Sequence, residues 1–194
     1  RNGGLMLNWV NGVEPGDPGR AAGIWRATNG GIDLVEGIIR EHKLAVRWRR
    51  TGSYSVHTRP RGAEEAAREV EGLRGEGLPL QFIDAGALPE RLRMQGALGA
   101  TFDPSAGHLD GVSYLEALLP VVEGLGVEVF EGSPVDRIEE GATCLLHVGA
   151  HTVRAASIVL ATNAYTPQLG YFRDQLIPLF AHVVATEPRS PAAW

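Results

Sequence analysis

DGVSYLEALLPVVEGLGVEVF, residues 110–130, is the stretch whose reading decides the fold. Asp110 suits the cap position of a helix, because a short carboxylate can accept a first-turn backbone N–H. Val112, Leu115, Leu118, Leu119 and Val122 follow at helical spacing and predict a helix through Leu125 with those side chains on its buried face. Gly124 or Gly126 supplies the stop, and Pro120 removes one internal donor, which predicts a kink. The apolar run at 127–130 then reads as a strand, so helix and strand join through a glycine.

Downstream, 134–138 is a second strand-like run, and 143–148 and 151–154 flank a Gly149-Ala150 turn. SIVLA, residues 157–161, is apolar throughout, as a strand buried on both faces should be. The helix, the run 127–130 and the run 157–161 are expected to pack as one unit. Upstream, Asp17-Pro18 offers an N-cap and a first-turn proline for a helix to about Glu41, carried by Ala21, Ile24, Trp25, Thr28, Ile32, Val35 and Ile39. Gly30-Gly31 inside it predicts a close contact or a break. Residues 44–57 are rich in Val, Trp, Tyr and Thr around Gly52-Ser53 and predict two antiparallel strands in a hairpin. Thr58-Arg59-Pro60 opens another helix, with Ala63, Ala66, Ala67, Val70 and Leu73 on one face, ending near 75–77. A short helix at 89–93 and an extended segment at 95–103 follow. Hairpin material at 44–57 and 172–186 should form a sheet separate from the first unit, giving an α/β (α+β mixed) fold.

The 194 residues carry 18 basic and 23 acidic side chains, a net charge of −5, and so lack the basic surface that nucleic-acid binding needs. At 44% hydrophobic and 21% charged, the chain can bury a core. It shows no apolar run long enough to span a membrane and no signal-peptide pattern at its start. One cysteine, Cys144, excludes an internal disulfide and fits a reducing, cytoplasmic compartment; its position in a predicted strand suggests a buried, small hydrophobe. Seventeen of the basic residues are Arg and one is Lys43, which reads as base composition rather than a patch. The opening at Arg1 without an initiator Met suggests a fragment.

His42, His57, His108, His147, His151 and His182 show no metal-ligand spacing, and each reads more simply as a surface or hydrogen-bonded histidine. No G-x-S-x-G elbow, Walker A loop or G-x-G-x-x-G occurs. Spacing alone therefore stops at an α/β protein.

Three segments go further: RNGG at 1–4, FDPSAGHLDGVSYLEALLPVVEGLGVEVFEGSPVDRIE at 102–139, and IVLATNAYTPQL at 158–169. Together they resemble the FAD-dependent oxidoreductases of the D-amino-acid oxidase family, and most closely the γ-glutamylputrescine-type amine oxidoreductases. The resemblance implies a partial FAD-binding, Rossmann-like domain (1–43 and 108–170) with an inserted antiparallel-sheet substrate domain (44–107 and, truncated, 171–194). In that family a βαβ unit with G-x-G-x-x-G precedes the segment like RNGG, and further substrate-domain strands follow; both would lie outside this chain.

The same resemblance implies the site. Arg1, Asn2, Gly3 and Gly4 would pass the flavin, where glycines admit close backbone approach; the alternative is a plain surface turn. Val135 matches a position whose main chain pairs with adenine; the alternative is a core strand residue. Ala161, Thr162 and Asn163 match the turn against ribose and pyrophosphate, with Asn where many relatives have Gly, a residue that tolerates left-handed backbone. His108 is the substrate-side candidate, with a structural histidine as the competing reading. No acid or base is compelled as catalytic, and no cysteine is placed for a covalent flavin bond. The implied enzyme oxidises a small amine or amino acid by hydride transfer to FAD, with oxygen or another acceptor taking the electrons. Flavin-dependent oxidation of a hydroxy acid or glycerol phosphate is the alternative chemistry, and a non-enzymatic α/β ligand-binding module the alternative class.

Overall fold

A computed structural model describes residues 3–9, 16–89, 92, 95–177 and 182. They divide into two compact units, one reaching to Gly126 and the other beginning at Val127.

In the first unit, helix α1 (Pro18–Glu41) starts where Asp17 accepts the Arg20 N–H at 2.9 Å, with Pro18 in the first turn. Helix α2 (Pro60–Gly75) opens at its own proline and buries Ala63, Ala66, Val70 and Leu73, while Ala67 is half-buried. The two helices share a core of Ala21, Ala22, Val70, Leu73, Leu78 and Leu80, with Trp25 and Phe82 packed against it. Gly30-Gly31 neither breaks α1 nor meets a neighbour, since a Cβ at either position would find nothing within 4 Å. Arg50 explains the continuity: its guanidinium bonds Asn29 Oδ1 (2.7 Å), Asp33 Oδ1 (2.6 Å), Glu36 Oε2 (3.2 Å) and the Ser105 carbonyl (2.8 Å). Three successive turns of helix are thereby clamped across the glycine pair.

The expected hairpin at 44–57 does not form. Its two strands, β2 (Trp48–Arg49) and β3 (Ser53–His57), enter different sheets. Gly52, at φ +80°, donates to Ala106 O at 2.9 Å and lies so close to the Phe102 ring that no Cβ would fit, so the chain crosses between sheets instead of doubling back. One sheet is antiparallel with order β1-β6-β2, where β1 is Leu5–Met6 and β6 is Gly107–Leu109. The other is antiparallel with order β3-β5-β4, where β4 is Gln81–Asp84 and β5 is Gly99–Asp103. Of the extended segment expected at 95–103, only β5 is strand. The helix expected at 89–93 lies largely outside the described residues; a 3-10 turn, Ala85–Ala87, precedes it.

Helix α3 (Gly111–Gly124) runs through Pro120 as one element, capped by Asp110, whose carboxylate accepts the Ser113 N–H at 3.3 Å. Its apolar face is not buried as the spacing predicts. No α3 residue is buried, and Val112 and Leu115 are each 67% exposed, because no described element covers them.

The second unit is built on an antiparallel sheet, β7-β8-β9: Arg137–Glu139, Cys144–Val148 and His151–Ala155. Gly149, at φ +56°, makes the two-residue turn between β8 and β9. The runs 127–130 and 157–161 are not strands, which overturns the expected packed unit with α3. A buried strand takes its ladder from neighbours, and no described segment pairs with these; Phe130 is 72% and Val159 88% exposed. Residues 172–177 form turns and irregular backbone rather than hairpin strand, and of 178–186 only His182 is described.

Candidate functional site

The second unit holds a cavity of about 500 Å³ lined by Val135, Asp136, Ile138, Leu146, Thr162 and Tyr165, among others. Val135 sits in the irregular segment before β7, held from its C-terminal side: the Asp136 N–H donates to His147 O at 2.8 Å, and Asp136 Oδ2 accepts the Gly149 N–H at 2.7 Å. Val135's own N–H and C=O make no hydrogen bond among the described residues. A half-buried residue with an unpaired main chain is able to present one donor and one acceptor to a ligand. Asp136 went unremarked in the sequence, and the turn glycine that it holds is too far along the chain for spacing to link them.

Thr162 and Asn163 face the same problem of turning the chain after the apolar run. Asn163 has φ +50°, the left-handed conformation expected of it, and opens a 3-10 segment, Asn163–Leu169. Thr166, 5% exposed, locks this turn: its hydroxyl donates to Asn163 O at 2.8 Å and shares a 2.8 Å bond with the Thr162 hydroxyl. Tyr165 N–H closes onto Thr162 O at 3.0 Å. Val135 and Thr162 therefore line one cavity, with Asn163 next to it in sequence and Ala161 on the other side of Thr162.

In the first unit, Gly4 has φ +71°, and a Cβ there would collide with the Leu109 carbonyl oxygen. Leu109 N–H donates to Gly4 O at 2.7 Å, which starts the β1–β6 ladder and pairs Leu5 with His108. His108 thus stands exposed on the strand beside Gly3 and Gly4. Arg1 and Asn2 lie outside the described residues.

Other charged groups among the described residues of the second unit pair with one another. Arg137 bonds Glu139 and holds its carboxyl below the usual range, with His147 Nε2 at 3.2 Å from the same oxygen. Glu140 beside Tyr171 pushes that phenol up. Cys144, on β8, is only half-buried, not the buried hydrophobe expected; its thiol lies 4.0 Å from Gly141 O, near the strand's open start. Among the described residues no group of three or more His, Cys, Asp or Glu side chains could hold a metal ion, and no helix is long and apolar enough to cross a membrane.

Comparison with known proteins gives this geometry a context. The family model described as FAD dependent oxidoreductase (DAO) matches residues 1–194. A protein of Haemophilus influenzae named "Probable oxidoreductase OrdL" is 27% identical over 198 residues, covering 94% of this chain and 46% of that protein. A D-amino acid dehydrogenase of Cereibacter sphaeroides is 28% identical over 136 residues, covering 65% of this chain and 30% of the relative. Among solved structures, glycine oxidase from Geobacillus kaustophilus superposes with a TM-score of 0.67 at 19% identity, over 87% of this chain and 46% of that one. L-proline dehydrogenase from P. horikoshii gives 0.61 at 16% identity, over 87% and 45%. These structures share the mixed α/β fold, and the chain spans less than half the length of the proteins named.

Proposed function

We infer the activity from one premise: the chain belongs to the DAO family of FAD-dependent oxidoreductases. Its cofactor is FAD, and in our reading the protein that carries it oxidises the C–N bond of an amine or amino acid. The observation that carries the cofactor part is the cavity shared by Val135 and Thr162, where one residue offers an unpaired main chain and the next after the other, Asn163, turns left-handed. A main-chain donor and acceptor side by side suit the edge of an adenine. A turn with positive φ exposes backbone N–H groups to which a ribose or phosphate can approach. The residues present therefore fit FAD.

Within this reading Val135 holds the adenine edge, Ala161, Thr162 and Asn163 wrap the ribose and pyrophosphate, and the loop of Arg1, Asn2, Gly3 and Gly4 passes the flavin. His108, one strand away from Gly4, is the substrate-side residue. Residues 1–43 and 108–170 then belong to the flavin domain and 44–107 and 171–194 to the substrate domain. The chemistry that FAD supplies when bound is removal of a hydride from the carbon bearing an unprotonated amine, leaving an imine for water to hydrolyse. Oxygen or another acceptor takes the electrons.

Preference for amines is supported by the relatives' names, a D-amino acid dehydrogenase and a glycine oxidase. The finer likeness to γ-glutamylputrescine-type enzymes rests on the three segments 1–4, 102–139 and 158–169 together, of which IVLATNAYTP is the most specific. The test is anaerobic bleaching of the flavin in the complete polypeptide that carries this chain, with D-amino acids, glycine, γ-glutamylputrescine, 2-hydroxy acids and glycerol phosphate as reductants. Bleaching by amines supports the reading; bleaching by the hydroxy compounds alone overturns it.

A further inference from the structure

The main chain of Val135 is aimed by its neighbour. The Val135 C=O and the Asp136 N–H belong to one planar peptide and, in a trans bond, point in opposite directions. Because Asp136 N–H donates to His147 O on β8 at 2.8 Å, the Val135 carbonyl is directed away from β8. The strand that this segment leads into, β7, is an edge of its sheet, so the side away from β8 is the open one. The acceptor that Val135 offers therefore stands at the continuation of that edge, where unpaired main-chain groups are free to meet a ligand.

That rung lies at the end of the ladder, where strands open most easily. Upstream of it residues 133–136 are irregular, Pro134 has no N–H to give, and the Ser133 hydroxyl bonds Glu131 O at 3.1 Å within its own turn. The brace comes from the Asp136 side chain. Its Oδ2 accepts the Gly149 N–H at 2.7 Å, which ties the segment to the β8–β9 turn two residues beyond His147. An N–H given to a carboxylate is among the stronger hydrogen bonds. With its main chain held at His147 and its side chain at Gly149, Asp136 fixes the peptide that it shares with Val135, since that peptide cannot rotate without breaking the first bond and straining the second.

We propose that Asp136 is a positioning residue for the cofactor: it sets FAD affinity by holding the Val135 main chain in the orientation that meets adenine. The proposal rests on the reading that Val135 holds the adenine edge, and it brings the β8–β9 turn, remote in sequence, into the support of the cofactor cavity. What the position requires is an acceptor that reaches the Gly149 N–H, not a negative charge. An Asn amide oxygen meets that requirement and a methyl group does not.

Titration of the apoprotein of the complete polypeptide with FAD, read by fluorescence quenching, tests this. Asp136→Ala should weaken binding about tenfold, and Asp136→Asn should stay within about threefold of the parent. Val135→Pro deletes the main-chain donor and should weaken binding by itself. Because Asp136 acts through Val135, the double variant Val135→Pro/Asp136→Ala should lose less than the product of the two single losses. If Asp136→Ala does not fold, Asp136→Glu, which keeps the charge and displaces the carboxylate by one methylene group, carries the same expectation. Parent-like affinity in Asp136→Ala, a loss in Asp136→Asn equal to that in Asp136→Ala, or losses that multiply in the double variant overturns the proposal. Parent-like affinity in Val135→Pro instead overturns the adenine reading on which it rests.

Discussion

Trp25 and Asp103, 78 residues apart, meet through an indole N–H donated to Oδ2 at 3.0 Å. The same oxygen accepts Asn8 Nδ2, and Oδ1 accepts the Ser105 N–H at 2.8 Å, so one carboxylate ties the segment after β1 and helix α1 to the end of β5. Trp25→Phe keeps most of the ring and deletes one donor. It should lower unfolding free energy by about 1–3 kcal/mol, the range for a bond to a charged group, read as a shift in urea midpoint at unchanged slope.

The glycine pair in α1 makes a prediction of opposite sign. Gly30→Ala and Gly31→Ala place a methyl group in open space and should each stabilise the chain by about 1 kcal/mol. Arg50→Met, by contrast, releases Asn29, Asp33 and Glu36 together, and amide exchange across residues 30–37 should accelerate. Unchanged exchange would mean that the helix does not depend on the clamp.

Asn163 tests the cofactor cavity. At φ +50° a β-branched residue is strained by about 1–3 kcal/mol, so Asn163→Val should weaken FAD binding in the complete polypeptide roughly 5- to 150-fold. Asn163→Gly should bind almost as the parent does. Fluorescence quenching gives both affinities, and flavin-saturated Asn163→Val should keep the parent's preference among amines and hydroxy acids.

Asp110 links α3 to pH. Arg47, bonded at 2.6 Å, and the Ser113 N–H hold its carboxyl below the ordinary carboxylate range. A group depressed in the folded state stabilises above its unfolded pKa, and that contribution disappears as pH falls through the folded value. Helix α3 should therefore fray at its N-terminus below about pH 4, earlier in Arg47→Met than in the parent, as amide exchange at Val112 to Tyr114 would report. An identical profile in both would remove Arg47 from the effect.

What could be read from the sequence is what is decided within a few residues. Asp17-Pro18, Pro60, Asp110 and Gly149 act on their own turns of chain, and each does what its chemistry predicts. The hairpin at 44–57 was misread because Gly52 answers to Phe102 and Ala106, far along the chain. Apolar spacing in α3 and at 157–161 states that a surface wants covering, but not what covers it. At the site, the left-handed turn at Asn163 was legible from residue type, while the anchoring of Val135 through Asp136 depends on strand register, which no local pattern encodes.

The Asp103 hub also sets an order of events. Its hydrogen bonds join segments 95 and 78 residues apart, and closing such long loops is entropically slow to be rewarded. The β8–β9 hairpin closes across two residues and belongs to the microsecond range, about 1–10 μs. The β8–β9 hairpin, although later in the chain, can thus close before Asn8, Trp25 and Asp103 have found one another, and until they do β1, α1 and β5 lack the tie that this carboxylate supplies.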